Sequence, residues 1–121
     1  MKKTVAAVLL LFVCAFALCA CTPGEKELKS KFIRNEYGIA QMTNMELSDR
    51  GADLDKVLYQ FVARNNLSVA HVVAFKDSDS AKKCYDSVNA YAELSYDILH
   101  FVAKKRGNAV VWGTEDAVKL L

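Results

Sequence analysis

The sequence predicts an α+β domain, in which a mostly antiparallel sheet and helices on one of its faces form a two-layer sandwich. Residues 67–75 form a short, apolar and β-branched run, which is typical of a central strand. Residues 98–104 and 109–114 are two further apolar runs, joined by the turn sequence Arg106-Gly107-Asn108, and they predict a β-hairpin. Residues 39–45 add an edge strand, and the apolar residues of the other segments recur at helical spacing, which gives the element order α-β-α-β-α-β-β-α.

The first half of the folded region predicts two helices around an edge strand. Thr22-Pro23-Gly24-Glu25 has the spacing of a capping box and predicts a helix over 25–36. Residues 39–45 alternate loosely between apolar and polar and predict an edge strand. Residues 49–65 predict the second helix, because their apolar residues line one helical face. These apolar residues are Leu54, Val57, Leu58, Phe61 and Val62.

The second half predicts a long helix, the hairpin and a short last helix. Asp77-Ser78-Asp79 supplies an N-cap residue and acidic side chains for a helix N-terminus. The helix that follows has apolar residues at helical spacing, namely Ala81, Cys84, Tyr85, Val88 and Ala92. After the hairpin, Thr114 begins a last helix, whose apolar positions are Ala117, Val118 and Leu121.

The first 20 residues predict a secretory signal peptide. Lys2 and Lys3 form a short cationic start, and residues 4–20 contain no charged residue. A positive start, an apolar run and small residues at its end are typical of such a signal. A retained membrane-spanning helix is the alternative, because the run approaches the ~20 apolar residues that span a bilayer.

The end of this run, Leu18-Cys19-Ala20-Cys21, resembles the lipobox of bacterial lipoproteins. A lipobox ends in an obligatory cysteine. A small residue lies directly before this cysteine, and a branched apolar residue lies three positions before it. Cys19 departs from the residues usual at its position. The resemblance implies cleavage between Ala20 and Cys21 and a diacylglyceryl thioether on Cys21, often followed by acylation of the new amine with a chain such as palmitate. Two or three acyl chains, at about 0.8 kcal/mol per buried methylene, make such an attachment effectively permanent.

The resemblance also implies a location at the extracytoplasmic face of a cell membrane. In a Gram-positive cell this is the outer leaflet of the plasma membrane. In a Gram-negative cell it is the outer membrane, because Thr22 rather than an aspartate follows Cys21. The alternative is an ordinary secreted protein whose cysteine stands there by chance.

The chain after the signal peptide predicts a single domain. Residues 21–24 form a short lipidated tether and residues 25–121 the domain, since no internal repeat or polar linker divides them. The net charge of +2 belongs to Lys2 and Lys3, so the mature chain is formally neutral and no nucleic-acid partner is expected. In layout the chain resembles small lipoproteins of unassigned function from Gram-positive bacteria, a resemblance that implies no activity.

Three side chains suggest an alternative function as a small envelope enzyme or metal-dependent catalyst, namely His71, His100 and Cys84. Both histidines fall inside predicted strands, and their spacing matches no zinc template. Cys84 falls in the apolar stripe of its helix, so packing as a small hydrophobe is the simpler interpretation. We therefore assign no catalytic residue, metal or cofactor from the sequence.

Lys104-Lys105-Arg106, at the tip of the predicted hairpin, is a candidate contact for anionic headgroups or wall polymers. Each such charge contributes about 1 kcal/mol near a charged surface. The alternative is a solvated turn whose lysines protect a strand edge from aggregation.

These observations together predict a lipid-anchored protein of the bacterial cell envelope that acts as a binding or interaction module. Its membrane partner is reached through the lipid on Cys21, and the sequence identifies no protein or small-molecule partner. No nucleophile elbow and no phosphate-binding loop occurs in the sequence. Trp112 and the tyrosines are expected to pack in the core rather than to form a sugar-binding or peptide-binding face.

Overall fold

The computed structural model describes residues 22–121, so the predictions for the signal peptide and for Cys21 concern residues outside the described part. The helices are α1 (Glu25–Arg34), α2 (Asn44–Asp49), α3 (Ser78–Leu99) and α4 (Glu115–Val118), with a short 3-10 helix at Leu54–Lys56. The strands are β1 (Gly38–Ala40), β2 (Val57–Asn65), β3 (Ser68–Phe75), β4 (Phe101–Arg106) and β5 (Ala109–Thr114). Among residues 22–121, no helix is both long enough and apolar enough to cross a membrane.

The five strands form one sheet in the order β1-β2-β3-β5-β4, and every neighbouring pair is antiparallel. The predicted α+β sandwich with its antiparallel sheet is therefore confirmed, as is the hairpin of β4 and β5. The central strand predicted at 67–75 is β3, which pairs with β2 on one side and with β5 on the other.

The helices cover both faces of the sheet rather than one. On one face, Phe32 of α1 and Val118 of α4 pack in the same cluster as Val72. On the other face, Val88 of α3 packs in the same cluster as Val73. The reason lies in the central strands, whose successive residues point to opposite faces and are apolar on both, so that each face needs a cover.

The helix predicted over 49–65 is wrong, because most of this segment is the strand β2. The spacing of Val57, Phe61 and Val62 fits a helical face but equally fits a strand that is buried on both sides. Tyr59 and Ala63 fill the intervening positions of one face, and both are buried. A tight turn through Asn66, whose φ of 51° lies in the left-handed region that Asn tolerates, joins β2 to β3.

Local capping sets the other boundaries. The predicted edge strand ends at Ala40. Thr43 is the N-cap residue of α2 and forms a reciprocal capping box with Glu46, in which the Thr43 hydroxyl accepts from the Glu46 N–H at 3.1 Å. The N-cap at Asp77 is confirmed, because its carboxylate accepts from the Ser80 N–H at 2.7 Å. The long helix α3 continues to Leu99, beyond its predicted end, and stops where His100 takes a φ of 55°.

The segment before α1 is fixed to the sheet. The predicted capping box at Thr22 does not form, since Gly24 is the N-cap residue of α1. Instead, the Thr22 hydroxyl accepts from the N–H of Asn108, in the β4–β5 turn, at 2.9 Å. The buried hydroxyl of Tyr59 donates to the carbonyl oxygen of Pro23 at 2.6 Å.

Candidate functional site

A small pocket lies between α2, the middle of α3 and the sheet. Its volume is about 130 Å³. The described residues that line it are Met42, Glu46, Asp49, Arg50, His71, Tyr91, Phe101 and Trp112. They combine an aromatic floor with charged groups of both signs, so the pocket offers both apolar and polar contacts to a ligand.

Two stacked rings form the floor of the pocket. His71 of β3 lies directly across from Trp112 of β5 in the strand register, and both side chains point to the same face. Their ring centroids are 5.2 Å apart and their planes differ by 8°. Phe101 of β4 lies beside them, with its ring centroid 6.4 Å from that of His71. The antiparallel register therefore brings together three rings from three strands.

Arg50 and Tyr91 form the opposite wall. The guanidinium of Arg50 lies over the Tyr91 ring, 3.5 Å from its centroid, which is a cation–π contact. Gly51, at a φ of 80°, turns the chain away from α2 so close to α3 that an added Cβ would meet the Ser87 Cβ at 2.8 Å. This close approach places the Arg50 side chain against Tyr91.

The Arg50 guanidinium has no carboxylate within 4.0 Å among residues 22–121, where the only salt bridge joins Lys29 to Glu25. Glu46 and Asp49 line the same pocket, but neither carboxylate pairs with Arg50. The Glu46 carboxylate accepts instead from the Thr43 N–H in the capping box, at 3.0 Å. The planar guanidinium fork can therefore donate hydrogen bonds to an anion that enters the pocket.

The surroundings of His71 favour its neutral form. Burial is the main cause that lowers the pKa of His71 below its ordinary value of 6.5, and the nearby charges of Arg64 and Arg50 lower it further. The contact with the Trp112 carbonyl and the charge of Glu46 act in the opposite direction. Nδ1 lies 3.4 Å from the Trp112 carbonyl oxygen, which can only accept, so a hydrogen bond here requires the tautomer with its proton on Nδ1. Nε2 is then the acceptor that the ring can offer.

The three residues considered for catalysis do not form one site. Of these, only His71 lines the pocket. The predicted strand position of His100 is wrong, because His100 is the exposed C-cap residue of α3. Its ring centroid lies 5.3 Å from that of Tyr96. Cys84 is fully buried, as its place in the helix stripe predicted, and burial raises the pKa of its thiol to about 12. No group of three or more His, Cys, Asp or Glu side chains within 22–121 could hold a metal ion.

The predicted basic cluster lies on the edge strand β4. Lys104 and Lys105 are exposed on successive positions of this strand. Arg106 precedes the turn, and its guanidinium donates to the main-chain oxygen of Leu121 at 3.3 Å. The cluster therefore stands beside the turn that holds Thr22.

Arg50 was not predicted as a site residue, and Trp112 and Tyr91 were predicted only as core residues. The burial of Trp112 confirms that prediction, but its stacked neighbour His71 makes it part of a pocket wall. No local pattern links Arg50 to Tyr91, because only the packing of α2 on α3 brings them together. Comparison of the chain with protein-family models, with curated proteins and with solved structures found no match.

Proposed function

We propose that this chain is a lipid-anchored binding module at the outer face of a bacterial membrane, and that it binds a small ligand with an acidic group. The leader and the lipobox resemblance at Leu18-Cys19-Ala20-Cys21 support the anchor. The pocket around Arg50 supports the binding activity.

The observation that carries the binding proposal is the guanidinium of Arg50, stacked on Tyr91 without a carboxylate partner among residues 22–121. Stacking on the ring restricts the orientation of the guanidinium, so less conformational entropy is lost when it binds a ligand. A planar fork of donors matches the geometry of a carboxylate or a phosphate. Arg50 therefore favours a ligand with an acidic group.

The opposite wall favours a flat apolar part on the same ligand. His71, Trp112 and Phe101 offer ring surface, and neutral His71 adds one acceptor nitrogen. An apolar cavity of about 150 Å³ is large enough for benzene, and this pocket is slightly smaller at about 130 Å³. The ligand, or the part of it that enters, is therefore about the size of one small ring.

The alternative function as an envelope enzyme or metal-dependent catalyst receives less support. A thiol with a pKa of about 12 is protonated at neutral pH and is a poor nucleophile. His100 is exposed and contacts Tyr96 rather than the pocket. His71 is then the one residue of the three in a position to meet a ligand.

Trp112 is the only tryptophan of the chain, so its fluorescence reports on this pocket alone. We expect benzoate to produce a saturable change in Trp112 emission, and its uncharged counterpart benzamide to bind at least tenfold more weakly. Arg50→Lys keeps the charge but loses the planar fork, and should weaken benzoate binding about tenfold. Arg64→Lys, the same change at an exposed position on β2, is the matched control and should bind as the unmodified chain does.

Acetate and inorganic phosphate, tested in the same titration, distinguish a need for the ring from a need for the acidic group alone. Equal binding of benzoate and benzamide, or equal binding by Arg50→Lys and the unmodified chain, would contradict the proposal. A linear, unsaturable change with every probe would contradict it as well.

A further inference from the structure

Thr22, the first described residue, contacts the β4–β5 turn. Its hydroxyl accepts from the Asn108 N–H at 2.9 Å. Gly107 takes a φ of 58° in this turn, and a Cβ at that position would run into the backbone and hydroxyl of Thr22. The absence of a side chain at Gly107 therefore allows the N-terminal segment to lie directly on the hairpin.

The next residue is fixed as well. The carbonyl oxygen of Pro23 accepts from the Tyr59 hydroxyl at 2.6 Å, and both residues are buried. Burial is the main cause that raises the pKa of Tyr59 to about 12, so this donor keeps its proton at physiological pH. Thr22 and Pro23 are thus parts of the folded domain rather than a free tether.

A fixed Thr22 determines where a lipid on Cys21 would emerge. Consecutive Cα atoms are about 3.8 Å apart, so only one peptide unit separates Thr22 from the residue before it. A lipid on Cys21 would therefore leave the domain beside the β4–β5 turn, with no flexible linker in between.

Three cationic residues lie beside this turn. Lys104 and Lys105 are exposed on β4, and Arg106 adjoins the turn. The Phe75 N–H donates to the Asn108 carbonyl oxygen at 2.9 Å, which brings the end of β3 to this turn. Around the paired strand ends, Lys56 and Lys76 are balanced by Asp55 and Asp77. The two helices that begin at this end add acidic residues in their first turns, namely Glu25, Glu27 and Asp79. The cationic cluster is therefore local to β4 and its turn.

The opposite end of the sheet has a different surface. It contains the β2–β3 turn, where the side chain of Leu67 is 95% exposed. The C-terminus of α3 lies at this end, because α3 begins just after β3 ends and runs back along the sheet to Phe101. Leu94 and Ile98 in this part of α3 are exposed apolar residues.

We propose that the hairpin end of the sheet rests on the membrane surface, where Lys104, Lys105 and Arg106 contact anionic lipid headgroups, and that the Leu67 end points away from the bilayer. This inference rests on the proposed lipidation of Cys21. The lipid fixes the distance between domain and bilayer, and the basic cluster fixes the orientation, since each charge near an anionic surface favours the bound state. Two signals that lie side by side act on the same end of the domain.

The test is the depth of a probe at each end of the domain in vesicles. The full chain is purified from cells in lipidated form and reconstituted in phosphatidylcholine vesicles, with or without phosphatidylglycerol. A fluorophore is placed at Lys105→Cys or, as the matched control at the other end, at Leu67→Cys. Cys84 is fully buried and does not compete for the label in the folded protein. The vesicles contain a lipid with a quencher on its headgroup.

We expect the label at 105 to be quenched several-fold more strongly than the label at 67 in vesicles that contain phosphatidylglycerol. Lys104→Glu should lower the preference for this orientation by at least about fivefold, which is the effect of one surface charge. Arg64→Glu, the same charge reversal on the exposed distal part of β2, should leave it unchanged. Equal quenching at both positions, or stronger quenching at 67, would overturn the inference.

The mass of the Cys21 peptide from the same sample separates the two proposals. A lipidated Cys21 with equal quenching at both ends would refute the orientation and leave the anchor intact. An unmodified Cys21 would refute the anchor, and with it the orientation that depends on it.

Discussion

The imidazole of His71 lies parallel to the indole of Trp112, with 5.2 Å between the ring centroids. The two residues face each other across β3 and β5, and the same contact forms the floor of the pocket. Because burial in this stack disfavours a charged imidazole, the pair links the protonation of His71 to the stability of the sheet.

This link predicts a pH dependence of stability. The pKa of His71 is lowered in the folded protein, so the unfolded chain binds the proton more readily below the ordinary value of 6.5. Stability is therefore fully present above that pH and falls as the pH is lowered through the range below it. We expect the free energy of unfolding in urea, followed by Trp112 fluorescence, to decline in this range.

Two variants check the origin of this decline. His71→Gln should remove the part of the pH dependence that arises between the pKa of His71 in the folded protein and its pKa in the unfolded chain. His100→Gln should leave this part unchanged. An identical pH profile for His71→Gln and the unmodified chain would contradict the role of His71.

We expect the Cys84 thiol to react only after the protein unfolds. Burial raises its pKa from 9.0 to about 12, which lowers the thiolate fraction at neutral pH about a thousandfold. The side chain is also inaccessible, and its Sγ lies 3.6 Å from the Arg50 carbonyl oxygen. We expect iodoacetamide to modify the Cys84 peptide rapidly in urea and at least a hundredfold more slowly in buffer, as measured by mass spectrometry. Comparable rates in both solutions would show an accessible, reactive thiol.

Tyr59→Phe should destabilise the fold by about 1 kcal/mol, because it deletes the hydrogen bond to the Pro23 carbonyl oxygen and leaves that buried acceptor without its donor. Tyr37→Phe is the matched control, since the Tyr37 ring packs on Phe32 but its hydroxyl has no hydrogen-bond partner among residues 22–121. Urea unfolding measures both variants. An equal effect of the two substitutions would mean that the Pro23 contact contributes no stability.

Cys21→Ala should leave an unprocessed or mislocalised precursor, because it removes the thiol that we propose receives the diacylglyceryl group. Fractionation of cells into membrane and soluble parts, followed by immunoblotting, measures this effect. Cys84→Ala is the control with a cysteine removed elsewhere and should be processed normally. Normal processing and membrane retention of Cys21→Ala would contradict lipidation.

The sequence predicted those elements whose pattern has one interpretation. The run over 67–75, too short for a helix and bounded by turn residues, could only be a strand, and the N-cap at Asp77 set the start of α3. The segment that contains Val57 and Phe61 was misassigned, because a strand that is buried on both faces can imitate a helical stripe. The same burial on both faces explains why helices cover the sheet on two sides.

The pocket could not be predicted, because none of its contacts is local. The stack of His71 on Trp112 depends on the register of β3 with β5, and the contact of Arg50 with Tyr91 depends on how α2 meets α3. A sequence pattern reports the neighbours of a residue along the chain, whereas these neighbours are set by tertiary packing. The position of Thr22 on the β4–β5 turn is a further long-range contact of this kind.

The mass of the N-terminal peptide of the mature chain, isolated from the membrane fraction, tests the lipid anchor most directly. Lipidation predicts that this peptide begins at Cys21 and has the added mass of a diacylglyceryl group, with or without a further acyl chain on the amine. A peptide that begins at Met1, or one that begins near residue 21 with an unmodified cysteine, would contradict it.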